Sequence, residues 1–78
     1  MATKYIKTKD KKIIIFSGLN VHSDFALFNP VSAGFITFHI NDEKEIKCKC
    51  HGRSISLSLD SHPEDTMLAQ IQIIDSRY

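Results

Sequence analysis

The chain has few of the residues that cross-link a small domain or carry it across a membrane. It has no tryptophan, two cysteines and two prolines among its 78 residues. Two cysteines are too few for the disulfide framework of a small secreted domain, so we expect both thiols to be reduced. No run approaches the roughly 18 apolar residues of a membrane-spanning helix, and no signal-peptide pattern opens the chain. We therefore expect a cytoplasmic protein.

A strong net charge is also missing. Ten Lys and Arg stand against nine Asp and Glu, which gives a formal net charge of +1. This balance argues against a dedicated polyanion-binding surface. The first twelve residues are nevertheless rich in lysine, with Lys4, Lys7, Lys9, Lys11 and Lys12. Such a run usually solvates a surface, and a weak contact with nucleic acid is the alternative.

The chain does have enough apolar residues for one core. Hydrophobic residues make up 42% of it, and its length is below that of two independently folding units, so residues 1–78 are predicted to form a single domain. A domain this small often covers its remaining apolar surface with a second copy of itself. We therefore expect a homo-oligomer.

Five β-rich runs separated by turn signals predict strands over residues 3–8, 12–17, 31–40, 46–50 and 54–59. Residues 13–16 form a continuous apolar run, which predicts a central strand covered on both faces. Gly34 within the third run indicates a bulge or a close approach of another backbone. Residues 19–29 show no clean period and predict a loop with one helical turn.

The last part of the chain predicts a helix. Ser61 to Glu64 have the form of a capping box, and the apolar residues Met67, Leu68, Ile71 and Ile74 that follow predict a stripe packed on the sheet. The predicted fold is therefore α+β. Its mostly antiparallel five-stranded sheet is curled or forms a small barrel, in the order β-β-loop-β-β-β-α, with the helix at the C-terminus.

No motif for catalysis or metal binding stands out. Cys48, Cys50 and His51 are zinc-type ligands, but their spacing is wrong for a standard site and a second ligand pair is missing. Buried core thiols are the favoured interpretation, and we expect no metal and no cofactor. The tripeptide from His22 to Asp24 has the residue types of a catalytic triad, but sequence neighbours rarely point at one another. We expect no enzymatic activity.

Strand alternation gathers polar side chains on one face of the predicted sheet. The candidate ligand-binding residues there are Lys47, Lys49, Arg53, Ser54, Ser56, Ser58, His39 and Phe35. Cations and hydroxyl groups suit phosphate, and an aromatic ring can stack on a base. An ordinary solvated sheet face is the alternative interpretation.

Three stretches of the chain resemble small uncharacterised accessory proteins of phages and mobile elements. They are Tyr5-Ile6-Lys7-Thr8-Lys9-Asp10 leading to Ile13-Ile14, Asn29-Pro30-Val31-Ser32-Ala33-Gly34-Phe35, and Gly52-Arg53-Ser54-x-Ser56-Leu57 leading to Ser61-x-Pro63-Glu64-Asp65-Thr66. This resemblance implies an accessory role in the host cytoplasm, in which the protein inhibits or sequesters a component of host defence.

Together these features favour a small non-enzymatic binding module that contacts a host protein or a phosphate-bearing small molecule such as a nucleotide-type signal. A weak nucleic-acid-binding protein that uses the lysine-rich N-terminal hairpin is the alternative. A small hydrolase or a zinc protein ranks last.

Overall fold

A computed structural model of the chain describes residues 3–76 and confirms the α+β class. Its elements are β1 (Thr3–Thr8), β2 (Ile13–Ser17), a 3₁₀ helix (His22–Phe28) kinked at Phe25, β3 (Pro30–Ile40), β4 (Ile46–His51), β5 (Arg53–Ser54), β6 (Leu59–Asp60) and α1 (Asp65–Ser76). Within residues 3–76, no helix has the length and apolar character needed to cross a membrane.

Four strands form one open antiparallel sheet in the order β2-β1-β3-β4. The prediction of a central strand at residues 13–16 is wrong, because β2 lies at an edge of the sheet. Its apolar run nevertheless packs on both faces, although Ile15 is exposed. Phe16 stacks on Phe25 of the 3₁₀ helix with ring centroids 4.1 Å apart, while Ile13 packs in the same core as Ala69 of α1. An edge strand with two packed faces has the same continuous apolar pattern as a central strand.

The predicted fifth strand over residues 54–59 is wrong, and so is the curled or barrel-shaped sheet. Only β5 and β6 pair there, as a separate two-stranded hairpin joined by a turn. Ser58 has a positive φ of 54° and donates its amide to the carbonyl of Ile55 at 3.2 Å. The Ser54 hydroxyl accepts the amide of Leu57 at 3.2 Å. Serine favours such local hydrogen bonds, which compete with a strand ladder.

The sheet has a core on each face. On the α1 face, Tyr5, Ile13, Ile36, Cys48 and Ala69 pack together. On the opposite face, the buried residues Ile6, Phe16 and Ala33 pack under the 3₁₀ helix and the β5–β6 hairpin, together with Ile14, Phe25, Leu57 and Leu59.

The helix is present where the sequence predicts it, but most of the predicted apolar stripe faces away from the sheet. Leu68 packs against the sheet as expected, whereas Met67, Ile71 and Ile74 are 59%, 49% and 45% exposed. The helix also begins at Asp65, after the predicted capping box. The face that contacts the sheet is partly polar, which the apolar pattern of the sequence could not indicate.

Polar side chains of α1 bind the outer backbone groups of both edge strands. The side-chain oxygen of Gln70 accepts a hydrogen bond from the backbone amide of Cys48 at 3.0 Å, and its side-chain nitrogen donates one to the carbonyl oxygen of Ile46 at 2.8 Å. On the other edge, Gln72 accepts the amide of Ile13 at 2.9 Å and donates to its carbonyl at 2.7 Å. These contacts orient the helix, and they protect edge groups that would otherwise be free to pair with another chain.

Candidate ligand-binding groove

A groove of about 580 Å³ opens on the sheet face opposite α1. It lies between β1, β3, the start of the 3₁₀ helix and the β5–β6 hairpin. Its lining residues are Lys4, Val21, His22, Phe35, Gly52, Arg53, Ile55 and Ser56. This volume is within the range of small-molecule sites, and the lining is mainly apolar with a few polar groups, as such sites usually are.

A buried histidine holds one wall of the groove. The Nε2 atom of His22 lies 2.8 Å from the carbonyl oxygen of Gly34. Because a carbonyl only accepts hydrogen bonds, Nε2 of His22 carries the proton and donates it. The imidazole also meets the rings of Phe16 and Phe35 edge to face, with centroids 5.5 Å and 5.9 Å away. These contacts fix the start of the 3₁₀ helix against the sheet.

Two glycines let the backbone close around Phe35. A Cβ atom on Gly34 would lie 2.4 Å from the carbonyl oxygen of His51, which confirms the predicted close approach. Gly52 has a φ of +79°, and a Cβ atom there would lie 3.0 Å from the Phe35 ring. The His51 ring stacks beside Phe35 at 6.2 Å. Glycine is needed at both positions because any larger residue would displace β4 or the aromatic ring.

Two cationic side chains from different elements border the groove. Lys4 of β1 donates to the carbonyl of Asn20 at 2.7 Å, which directs its ammonium toward the 3₁₀ helix. Arg53 of β5 lies 3.5 Å from Asp60 of β6, and both side chains are more than half exposed. An exposed ion pair of this kind contributes little, so the guanidinium can exchange its partner for a ligand at small cost. Among the described residues that line the groove there is no carboxylate. The carboxylate of Asp60 lies beside the rim as the partner of Arg53.

The structure brings three of the eight predicted site residues into the groove. These are Phe35, Arg53 and Ser56. The hydroxyl of Ser56 accepts the amide of Ser23 at 3.2 Å and so joins the hairpin to the 3₁₀ helix.

The other predicted site residues lie outside the groove. On the same sheet face, His39 pairs with Lys47, and Lys49 pairs with Thr37, toward the far end of β3. Ser54 belongs to β5 and is fully buried, whereas Ser58 is exposed in the turn between β5 and β6. The serines do not alternate along a strand, because residues 55–58 form the turn.

Sequence reasoning missed five of the lining residues, namely Lys4, Val21, His22, Gly52 and Ile55. For Lys4 a signal was present: alternation along β1 places it on the same face as Ile6 and opposite Tyr5. The other four come from segments without strand periodicity, which only the folded chain brings together.

A second polar cluster lies on the α1 face, where Lys7 is buried. Its ammonium contacts Glu64 Oε1 at 2.7 Å, Asp65 Oδ1 at 2.8 Å and His62 Nδ1 at 3.2 Å. The Lys7 side chain is 2% exposed and that of Asp65 is not exposed at all. A buried charge needs such partners, because transfer out of water otherwise costs many kcal/mol.

Asp65 is held by neutral donors as well. Its Oδ2 atom accepts hydrogen bonds from the Tyr5 hydroxyl at 2.5 Å, the Ser32 hydroxyl at 2.7 Å and the His62 amide at 2.9 Å. Burial opposes ionisation of Asp65, but the hydrogen bonds from Lys7 and these donors outweigh it and lower the pKa of the carboxyl group. Burial and the neighbouring carboxylate raise the pKa of the Tyr5 hydroxyl. The cluster is therefore a Lys7–Asp65 ion pair inside a shell of hydrogen bonds.

Three of these residues also have the donor atoms of a cation site. The ligand atoms of His62, Glu64 and Asp65 lie within 4.8 Å of one another. The ammonium of Lys7 already lies among them, at the distances given above. His62, Glu64 and Asp65 therefore bind the ammonium of Lys7, which is the protein's own cation.

The predicted zinc-type residues are divided between the two faces of β4. Cys48 and Cys50 face α1 as free thiols, whereas the neighbouring His51 lies on the groove side against Phe35. Burial raises the pKa of the Cys48 thiol. Burial is also the main reason that the pKa of the Cys50 thiol is raised to about 12, and the adjacent Cys48 adds to this effect. Both thiols therefore stay protonated at neutral pH, which makes them weak nucleophiles.

Comparison of the chain with protein-family models, with curated proteins and with solved structures finds no match. The groove and the ionic cluster are therefore interpreted from their own geometry.

Proposed function

We propose that this protein is a non-enzymatic binding module that holds a small anionic ligand with a planar ring, of the nucleotide type, in the groove. The observation that carries the proposal is the convergence of Lys4 and Arg53, from two separate elements, on an apolar groove that contains Phe35. A flat ring can pack on the aromatic and aliphatic walls while its phosphate or carboxylate meets the two cations.

The polar groups of the groove support binding rather than catalysis. Its polar groups are two cations, one hydroxyl and a histidine whose Nε2 proton is committed to the carbonyl of Gly34. Such groups recognise charge, but they do not form a nucleophile paired with a base. A module of this kind would act by sequestering its ligand, which is the role implied by the resemblance to accessory proteins of phages.

The test is calorimetric titration of the protein with a panel of mononucleotides, cyclic nucleotides and short DNA duplexes. We expect at least one nucleotide-type ligand to bind, and Arg53→Gln to weaken that binding by about 10- to 100-fold, because a charge-assisted contact is worth roughly 1.5–3 kcal/mol. Phe35→Leu should weaken it further by removing the ring while retaining an apolar side chain.

Lys47→Gln is the matched control, since Lys47 lies on the same sheet face but outside the groove. It should leave the affinity unchanged. If Lys47→Gln abolishes binding and Arg53→Gln does not, the ligand occupies the open sheet face and the groove assignment is wrong.

The lysine-rich N-terminal hairpin is the surface that would bind nucleic acid in the alternative function. Lys9, Lys11 and Lys12 are exposed, whereas Lys7 is buried and unavailable to a partner. Duplex binding through phosphates falls steeply with salt, while a groove that recognises a small ligand depends on salt less. Steeply salt-dependent duplex binding that is lost in Lys9→Gln/Lys11→Gln, with no nucleotide binding, would replace the groove proposal by a nucleic-acid function.

A further inference from the structure

The outer face of α1 is unusually apolar for a helix that faces solvent. Met67, Ile71 and Ile74 are spaced by four and three residues, so they form one stripe along the helix. All three are about half exposed. The opposite side of α1 is already occupied by its contacts with the sheet through Leu68 and Ala69. The helix therefore has two contact faces, and among residues 3–76 only the one toward the sheet is packed against other elements.

Charge is absent from this part of the helix. Residues 66–74 contain no Asp, Glu, Lys or Arg. A surface helix normally carries charged residues on its solvent side, opposite its apolar face. The composition of α1 thus fits a helix covered by protein on both sides.

A second apolar area lies at the end of the β3–β4 hairpin, on the same sheet face as α1. Phe38, Ile40 and Ile46 are all exposed, and together with Ile73 of α1 they line an apolar groove of about 460 Å³. The three stripe residues and these three hairpin residues expose roughly 600 Å² of apolar side chain in total, close to the 800 Å² or so that each partner buries in a standard interface. A total of roughly 600 Å² is at the upper end of the range for the largest apolar patch on a monomer, and patches of that size often mark interaction sites.

We infer that a second copy of this chain covers the outer face of α1, so that the protein is a two-fold symmetric dimer. A two-fold interface places the same surface on both sides, and any charge near the axis would then meet its own like charge. An uncharged apolar stripe avoids that repulsion, so it is complementary to itself. A foreign partner is less well matched, because residues 66–74 offer no charge with which to select one.

The contact would centre on Ile71, the middle residue of the stripe. Spacings of four and three residues are those of a helix–helix seam, in which side chains of one helix fit between those of the other. The hairpin residues Phe38, Ile40 and Ile46 would extend the contact beyond the 12 residues of the helix. This interface lies on the sheet face opposite the ligand groove, so a dimer would carry two open grooves.

Sedimentation equilibrium on the full chain tests the inference. We expect a mass of twice 8.9 kDa at micromolar concentration and no strong dependence on salt. Ile71→Lys should weaken dimerisation by at least about 100-fold, because two ammonium groups would be brought together at the two-fold axis. Leu27→Lys is the control: Leu27 is 93% exposed and lies on the 3₁₀ helix, away from this face, so its variant should remain dimeric.

Circular dichroism distinguishes loss of the dimer from loss of the fold. The Ile71→Lys variant should retain the native spectrum. The melting temperature of the unsubstituted dimer should rise with protein concentration, and that of the variant should not. A chain that is monomeric at 100 μM or so would overturn the inference. So would an Ile71→Lys variant that stays dimeric, or a Leu27→Lys variant that becomes monomeric while Ile71→Lys does not.

Discussion

The buried Lys7–Asp65 pair makes a sharp prediction about stability. Replacing Lys7 with methionine removes the ammonium but keeps an apolar side chain of similar length. The carboxylate of Asp65, which is fully buried, then retains its neutral hydrogen bonds and loses the cation that lies 2.8 Å away. Leaving a buried charge without its partner typically costs about 3–5 kcal/mol. That is a large part of the stability of a domain this small.

Urea unfolding followed by circular dichroism measures the effect. With a slope of about 1 kcal/mol per molar urea for a small protein, Lys7→Met should lower the midpoint by about 3–5 M or leave the chain unfolded. Lys12→Met is the matched control, because Lys12 is an exposed lysine of the same hairpin, and it should change stability by less than about 0.5 kcal/mol.

A second substitution separates charge from packing. Asp65→Asn keeps the size of the side chain and an acceptor oxygen but removes the negative charge. In the double variant with Lys7→Met no unpaired charge remains in the pair, so the double variant should be more stable than Lys7→Met alone by at least about 1 kcal/mol. If the loss of stability in the double variant equals the sum of the losses in the two single variants, the two charges do not stabilise each other. The same conclusion follows if Lys7→Met costs less than about 1 kcal/mol.

Three further results are expected. The lowered pKa values of Asp65, despite its burial, and of Glu64, through its bond to the buried ammonium, mean that the unfolded chain binds more protons in acid. The contribution of these two carboxylates to stability should therefore be fully present above about pH 5 and be lost as the pH falls below it, and an acid midpoint unchanged in Asp65→Asn would contradict this. Cys48 and Cys50 should react with a thiol reagent much more slowly in the native protein than in urea; equal rates would show that the thiols are accessible. Gly34→Ala should destabilise the fold by about 2–3 kcal/mol, since its Cβ atom would lie 2.4 Å from a backbone oxygen of β4, and an unchanged melting temperature would refute the close packing there.

Local periodicity predicted the parts of the fold that depend on neighbouring residues. The strands β1, β3 and β4 lie close to their predicted ranges, because alternation and turn residues act over a few positions. The buried position of Lys7 could not be predicted in this way. A lysine in a lysine-rich hairpin resembles a solvated residue until β1 is known to lie inside the sheet, where the start of α1 brings Asp65 to it.

The groove, too, could be predicted from the sequence only in part. Phe35 and Arg53 were predicted from chemistry alone, since an aromatic ring and a cation suit a nucleotide-type ligand. The prediction placed Lys47 beside them because it treated residues 54–59 as a fifth strand of the same sheet. In the structure the hairpin turns over the sheet instead, and it brings Arg53 next to Lys4, which is 49 positions away in the chain. Such a contact depends on the path of the whole chain.

Backbone amide chemical shifts recorded during titration with adenosine 5′-monophosphate test the ligand-binding groove most directly. We expect saturable shifts at Phe35, Gly52, Arg53 and Ser56, four residues that line the groove, and an unchanged position for the amide of Lys47. Shifts that cluster at Lys47 and the far end of β3, or a spectrum that mononucleotides and cyclic nucleotides leave unchanged throughout, would contradict it.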